Sequence, residues 1–351
     1  MANLSEVVQT TYSCLHFCCR SLVDMILRTY ASNQPLSLAL LPITTLSVLF
    51  AAAVKGRLIA FDSGFPVDRF LLGWYQGPLS LAFLVGIFIL AGAYLANRVF
   101  NRHEFFNVPV FVPAFIYSLL ATTLALIQLS VPALLANLFV LVGLNNHLKI
   151  FQQPRVLAEY FQAGFWYGLG ALCFPPYLVL IAVIWLGSIV TRAFHWREYL
   201  LPVLSFAVPF AYWSSWLYFT DSMQDLVLFH KWVSFDVQSF FAHWNKAYQV
   251  FGILAILSLV FAIPRYMFLS DRSSNKSKTI RTIFFLVAVG LAGSYFLAFM
   301  LLWKWIVMAL LLPVAFLLGY WFANYRVSLV APFFFYAMLA TSLWCVIVAL
   351  I

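Results

Sequence analysis

The sequence predicts an all-α protein, a polytopic bundle of about eleven transmembrane helices with further helices resting at the membrane interface. Three observations carry that reading. The chain is 64% hydrophobic and only 9% charged, where soluble domains are about 45–50% apolar and about 25% charged. Its mean hydropathy is +0.96, so 351 residues of this composition must face lipid. The apolar stretches are continuous, whereas a transmembrane barrel would show short alternating strands. The 37 Phe, 17 Tyr and 12 Trp suit such a bundle, because Trp and Tyr gather at both membrane interfaces.

Residues 1–35 read as a cytoplasmic amphipathic segment. Val8, Tyr12, Leu15, Cys19, Leu22 and Ile26 recur at steps of four and three, one face of a helix. Arg20, Asp24 and Arg28 follow at four-residue spacing on another face, where they can pair. A helix of this kind lies along the membrane surface. No short apolar core with a small-residue cleavage site precedes it, so no cleavable signal peptide is expected. Cys14, Cys18 and Cys19 beside His16 match no common zinc spacing. They read as small apolar residues of the same helix. Cys173 and Cys345 fall inside apolar runs, so no disulfide framework is implied.

The transmembrane domain, residues 36–351, is read from runs of about 20 apolar residues. The spans are 36–54, 78–97, 109–129, 131–146, 199–219, 248–269, 282–302, 305–323 and 330–351. Pro35, Pro78, Pro109 and Pro332 stand at or just before span starts, where a missing N–H costs least. Between Glu159 and Val190 the run is broken by Pro175 and Pro176, as one kinked helix or as a tight hairpin. Charge separates the two. A hairpin puts 14 of the 20 Lys and Arg residues on the cytoplasmic side and 6 outside; a single helix splits them 9 to 11. The positive-inside rule favours the hairpin, eleven spans, a cytoplasmic N-terminus and a periplasmic C-terminus. Each hairpin arm has only about sixteen residues, at or below the length that crosses a bilayer. Gly164 and Gly168 form a small-xxx-small pair for close helix approach. Asn137, Gln128 and Gln162 lie in or beside apolar runs as candidates for interhelical bridges.

This topology leaves two outer loops, residues 55–77 and 220–247. The second has aromatic residues at Phe229, Trp232, Phe240 and Trp244 and no Gly or Pro, which predicts interfacial helix. Five acids fall outside: Asp62, Asp68, Asp221, Asp225 and Asp236. With them stand Lys55, Arg57, Arg69, His230, Lys231, His243 and Lys246. Asp62 and Asp68 are the candidate catalytic pair, since a carboxylate can act as a general base or hold Mg²⁺ or Mn²⁺. Arg57 and Arg69, with His230 and Lys231, are the candidate substrate-binding groups. A guanidinium offers a planar fork of donors to a phosphate. The competing account makes Asp62 and Asp68 turn residues around Gly64 and Pro66. His147 and Lys149 close a polar helix end, and Glu159 stands at the inner mouth of the hairpin. No Asp or Glu lies near the centre of a span, against a proton-coupled transporter. Phosphate-loop, dinucleotide, zinc-protease and serine-elbow motifs are absent. The net charge of +9 is spread over short connections, which suits anionic membrane lipids and not nucleic acid.

The stretch from Phe161 to Pro209, "FQAGFWYGLGALCFPPYLVLIAVIWLGSIVTRAFHWREYLLPVLSFAVP", resembles the middle of the GT-C superfamily of glycosyltransferases. The shared pattern is a glycine-bearing hairpin, an apolar return helix, a basic turn and another helix. It also places acids in the loop after the first span, as Asp62 and Asp68 are placed here. The resemblance covers roughly residues 36–220. It implies a polyprenyl-phosphate sugar as donor and chemistry at the outer face of the bacterial inner membrane. Family enzymes usually carry adjacent acids in the first outer loop, whereas Asp62 and Asp68 are separate, and no large soluble outer domain follows. The whole chain also resembles a bacterial family of polytopic membrane proteins, which implies no activity. Three classes of function stay open at this point: a GT-C-type transferase, a non-catalytic subunit of a membrane complex, and a lipid or solute transporter.

Overall fold

The computed structural model describes residues 30, 35–58, 73, 77–103, 105–106, 109–150, 156–191, 196–222, 245–271, 275–302, 307–324 and 330–351. The face read from Val8 to Ile26 in the N-terminal segment and the interfacial helix expected in the loop 220–247, from residue 223 to residue 244, lie outside them. Eleven α-helices and no β-strand stand among the described residues: α1 (Pro35–Val54), α2 (Pro78–Arg102), α3 (Val112–Ile127), α4 (Val131–Lys149), α5 (Leu157–Cys173), α6 (Leu180–Thr191), α7 (Trp196–Phe219), α8 (Lys246–Asp271), α9 (Asn275–Leu302), α10 (Leu311–Ala323) and α11 (Val330–Leu350). Two 3₁₀ turns interrupt this series, Pro175–Val179 before α6 and Val307–Leu310 before α10. Every apolar run read as a span contains an α-helix among the described residues. Six of them, α2, α4, α7, α8, α9 and α11, are long and apolar enough to cross a membrane. The protein is a multi-pass membrane protein.

Proline sets several helix starts. α2, α3 and α4 each carry Pro in their first two positions, where the ring costs no hydrogen bond and presets φ. Inside α1, α7 and α8, Pro42, Pro202, Pro209 and Pro264 each remove a backbone donor. Neighbouring helices tolerate this in a membrane bundle by re-satisfying freed groups.

The helices alternate in direction. α1 packs on α2 with Leu46 against Gly86, and α2 packs on α3 with Tyr117 over Gly92. α4 and α5 run antiparallel, with Tyr167 on Gly143 and Gly170 against Val140. α5 and α7 run parallel. Gly164 meets Pro202 and Ser205, and Gly168 meets the Phe206 carbonyl. A Cβ at either glycine would strike α7 backbone, so the small-xxx-small pair is what lets these two helices touch. α8 and α11 are joined through Ser258 and Met338, 3.7 Å apart, and through the Phe261–Phe334 ring pair.

The stretch from 157 to 191 is a hairpin. Glu159, near the start of α5, lies within electrostatic reach of Lys149 at the end of α4. Gly187, late in α6, lies against His147, back at the same end of α4. α6 descends antiparallel to α9, with Val183 on Gly290 and Gly187 facing Ile283. The adjacent Pro175 and Pro176 deny the backbone donors that would continue α5, so the chain turns in a 3₁₀ segment. At 1.5 Å per residue the 12 residues of α6 span about 18 Å, too short to cross.

The hairpin tip stops at a buried polar knot. Tyr177 donates its hydroxyl to Asn137 Oδ1 at 2.6 Å, and Asn137 Nδ2 donates to the Met308 carbonyl at 3.0 Å. The Tyr177 hydroxyl also approaches the Ala309 carbonyl at 3.4 Å. Asn137 and Tyr177 are both fully buried. The sequence predicts one span from 305 to 323, but Val307–Leu310 is a 3₁₀ turn and the α-helix begins only at Leu311. Pro313 explains the difference, since it has no N–H for the Ala309 carbonyl four residues earlier. One amide on α4 and one phenol from the hairpin thus serve the carbonyls of a second interrupted helix.

Membrane thickness is written on α7. Trp196 and Trp216 are both exposed and twenty residues apart, about 30 Å along a helix. That equals the hydrocarbon thickness of a typical bilayer, about 30 Å, with Trp at each interface.

The polar knot yields a prediction. Asn137→Leu leaves the Met308 carbonyl without its donor and the Tyr177 hydroxyl with only the 3.4 Å contact to the Ala309 carbonyl, and should destabilise the protein by about 1–3 kcal/mol. Tyr177→Phe should cost less, and the double variant should fall short of the sum by about 0.5 kcal/mol or more. Equilibrium unfolding in detergent micelles measures all three; strictly additive effects would contradict the shared bond.

Candidate functional site at the loop end of the bundle

The end where α1 and α7 stop and α8 begins carries the roots of both long loops. Two matching turns build those roots. At the end of α1, Arg57 N–H donates to the Ala52 carbonyl at 2.9 Å and Gly56 N–H donates to Ala53 at 3.0 Å. Gly56 takes φ 65°. This is the Schellman arrangement, in which a left-handed residue turns the chain off the helix. At the end of α7, Ser222 N–H donates to the Leu217 carbonyl at 2.9 Å and Asp221 N–H donates to Tyr218 at 3.3 Å. Here the left-handed residue is Asp221, φ 49°, the one described non-glycine residue with positive φ. Left-handed backbone costs an L-residue roughly 1–2 kcal/mol, and Asp bears it better than most.

These turns fix where the charged groups stand. Lys55, Arg57, Asp221 and Lys246 are all solvent-facing at this end, and Leu58, buried just after Arg57, pins the departing chain. Arg57 comes within electrostatic reach of Tyr248 in the first turn of α8, as does Cys345 near the end of α11. The roots of loop 55–77 and of loop 220–247 are therefore neighbours on the α1–α8–α11 flank. Asp221 stands elsewhere at the same end, because the main neighbours of α7 are α5 and α6.

Of the residues singled out from the sequence, Arg57 is thus placed beside the second loop's return. Asp62, Asp68, Arg69, His230 and Lys231 lie outside the described residues, as do Asp225, Asp236 and His243. No group of three His, Cys, Asp or Glu side chains able to hold a metal occurs among the described residues.

Two features escaped the sequence reading. Tyr177, next to the Pro pair, proved to be the hydroxyl that meets Asn137; a Tyr following Pro-Pro at a hairpin tip was the available signal. His147 reads as part of a polar helix end, yet only 1% of it is exposed. It is covered by α6 at Gly187 and sits edge-on to Tyr167 with ring centroids 6.2 Å apart. A glycine on α6 facing it has no signature in a single sequence.

The two root turns make opposite predictions. Gly56→Ala puts a side chain on a left-handed residue and should lower stability by about 1 kcal/mol or more. Asp221→Gly relieves the same strain and should leave stability unchanged or raise it by up to about 1 kcal/mol. Thermal unfolding in detergent checks both. A large loss of stability in Asp221→Gly would mean that its carboxylate holds the turn together.

Comparison of the chain with protein-family profiles, with curated proteins and with solved structures returns no match.

Proposed function

We propose that this membrane protein is a transferase of the GT-C kind that takes a polyprenyl-phosphate-linked sugar at the loop end of the bundle, on the outer face of a bacterial inner membrane. The observation that supports it is the neighbourhood of Arg57 and Tyr248, which roots both polar loops side by side at one membrane surface. The hairpin whose glycine-bearing arm, α5, lies parallel to α7 is the element that carries the resemblance to that superfamily.

In this reading Asp62 takes the proton from the acceptor hydroxyl as its oxygen attacks the anomeric carbon. The bond from that carbon to the phosphate oxygen breaks, and polyprenyl phosphate leaves. Arg57 and Arg69 hold the phosphate as charge develops on it, with His230 and Lys231 of the second loop completing the pocket. Mg²⁺ or Mn²⁺ on the loop carboxylates would serve the same end. Asp62 is assigned the base because it comes first after the span and precedes Gly64 and Pro66, residue types that favour a turn. Asp68, beside Arg69 and before the apolar "FLLGWY", suits the N-terminus of a helix.

Asp62→Asn keeps size and hydrogen bonding but removes the basic carboxylate, so transfer should fall by about 10²–10⁴-fold. Asp68→Asn should stay near wild type. The readout is incorporation of labelled sugar from polyprenyl-linked donors by membranes with matched protein levels. Wild-type transfer by Asp62→Asn removes the enzyme reading and leaves a non-catalytic subunit of a membrane complex.

A further inference from the structure

At the opposite end of the bundle, the lipid-facing stripe of α2 changes character. Leu79, Phe83, Ile87 and Tyr94 are exposed along it, followed on the same face by exposed Arg98 and Arg102. The steps of four, four, seven, four and four residues keep all six on one side of the helix. Tyr94 stands where an interfacial aromatic belongs, and the two guanidinium groups follow one and two turns further out, at head-group level.

Arg98 and Arg102 have company. Lys149, the last residue of α4, lies within electrostatic reach of both and of Glu159 on α5. His103, just past α2, lies against Asn145 on α4 and near Arg102 and Lys149. Burial, more than the neighbouring cations, lowers His103 from its ordinary value to about 4, so it is neutral at pH 7. Three fixed cations therefore face one carboxylate. Glu159 does not neutralise the cluster. Lys149 Nζ instead donates to Asn146 Oδ1 at 2.7 Å, and Glu159 Oε2 has no hydrogen-bond partner.

Helix dipoles account for part of this, since cations favour the C-termini of α2 and α4. They do not account for two arginines stacked on the lipid-facing stripe, nor for the repulsion Lys149 suffers from both. An anion at head-group level resolves both.

We propose that Arg98, Arg102 and Lys149, with His103 beside them, form a binding site for the phosphate of an anionic membrane lipid, whose acyl chain lies along Ile87, Phe83 and Leu79. Arg98 and Arg102 offer the planar donors that match phosphate oxygens. Lys149 adds a third charge at the same end, where Glu159 lies within its electrostatic reach. The site stands apart from the transferase reading, because it lies at the other end of the bundle and uses none of the loop residues.

The test is native mass spectrometry of the intact protein released from nanodiscs of phosphatidylcholine with a minor fraction of phosphatidylglycerol. The wild type should retain phosphatidylglycerol. Arg98→Gln/Arg102→Gln should bind it about 30-fold more weakly, from about 1 kcal/mol per basic residue at the membrane surface and 1.4 kcal/mol per tenfold. Lys55→Gln/Lys246→Gln at the loop end should retain it as the wild type does. Equal loss in the two double variants would reduce the effect to general surface charge and overturn the proposal. Retention of the lipid by Arg98→Gln/Arg102→Gln would overturn it as well. A third arm adds inorganic phosphate to protein in pure phosphatidylcholine. Stabilisation of the wild type there as large as that given by phosphatidylglycerol would assign the site to a free anion and not to a lipid.

Discussion

Inside a bilayer no water is available to a backbone carbonyl, and every interruption of a helix must find its donor within the protein. This chain interrupts two helices at the same depth, at Pro175–Val179 and at Val307–Leu310, and closes both on one asparagine. Asn137 accepts from Tyr177 and donates to Met308; the carbonyl that Pro313 cannot serve lies near the same phenol. The rest of the bundle depends on this junction. It holds the hairpin tip in place, lets α6 and α10 be short, and ties the two halves of the chain across α4.

Association around that junction rests on close approach more than on apolar burial, because lipid tails are as apolar as the side chains they would replace. Gly164 and Gly168 let α5 lie on the backbone of α7, Gly143 takes the Tyr167 ring and Gly170 meets Val140 between α4 and α5, and Gly290 receives Val183 of α6. Glycines thus mark the two faces of the hairpin. The lipid-facing surfaces carry Ile253, Ile256 and Val260 on α8 and Phe333 and Ile347 on α11, where exposure costs nothing.

Much of this architecture was legible in the sequence, and the reasons are local. Proline at helix starts, run length and the glycine spacing each depend on a few neighbouring residues, so α2, α4 and a close-approach face at Gly164 and Gly168 could be read directly, though not which helix fills it. The hairpin needed a global quantity, the distribution of Lys and Arg, which is sensitive because one extra crossing moves every later charge to the other side. What could not be read was the partner of each buried polar group. Asn137 stood out as a bridging residue, but its partners lie 40 and 171 positions away. The 3₁₀ turn before α10 was hidden because Val307–Leu310 is as apolar as the helix that follows. The candidate site was legible only as residue types. Arg57 gained a neighbour from the fold, while the roles of Asp62, Asp68, Arg69, His230 and Lys231 rest on the sequence.

The hairpin decides which surfaces share a side of the membrane, and with it the meeting of the two loops. Cysteines placed singly at Arg57, Arg102, Lys246 and Lys278 in a cysteine-free background can be labelled with an impermeant maleimide in sealed vesicles of known orientation. The account predicts that 57 and 246 label from one side and that 102 and 278 label from the other. Labelling of 102 and 246 from the same side would make residues 157–191 a single crossing, separate the two loops and contradict the account.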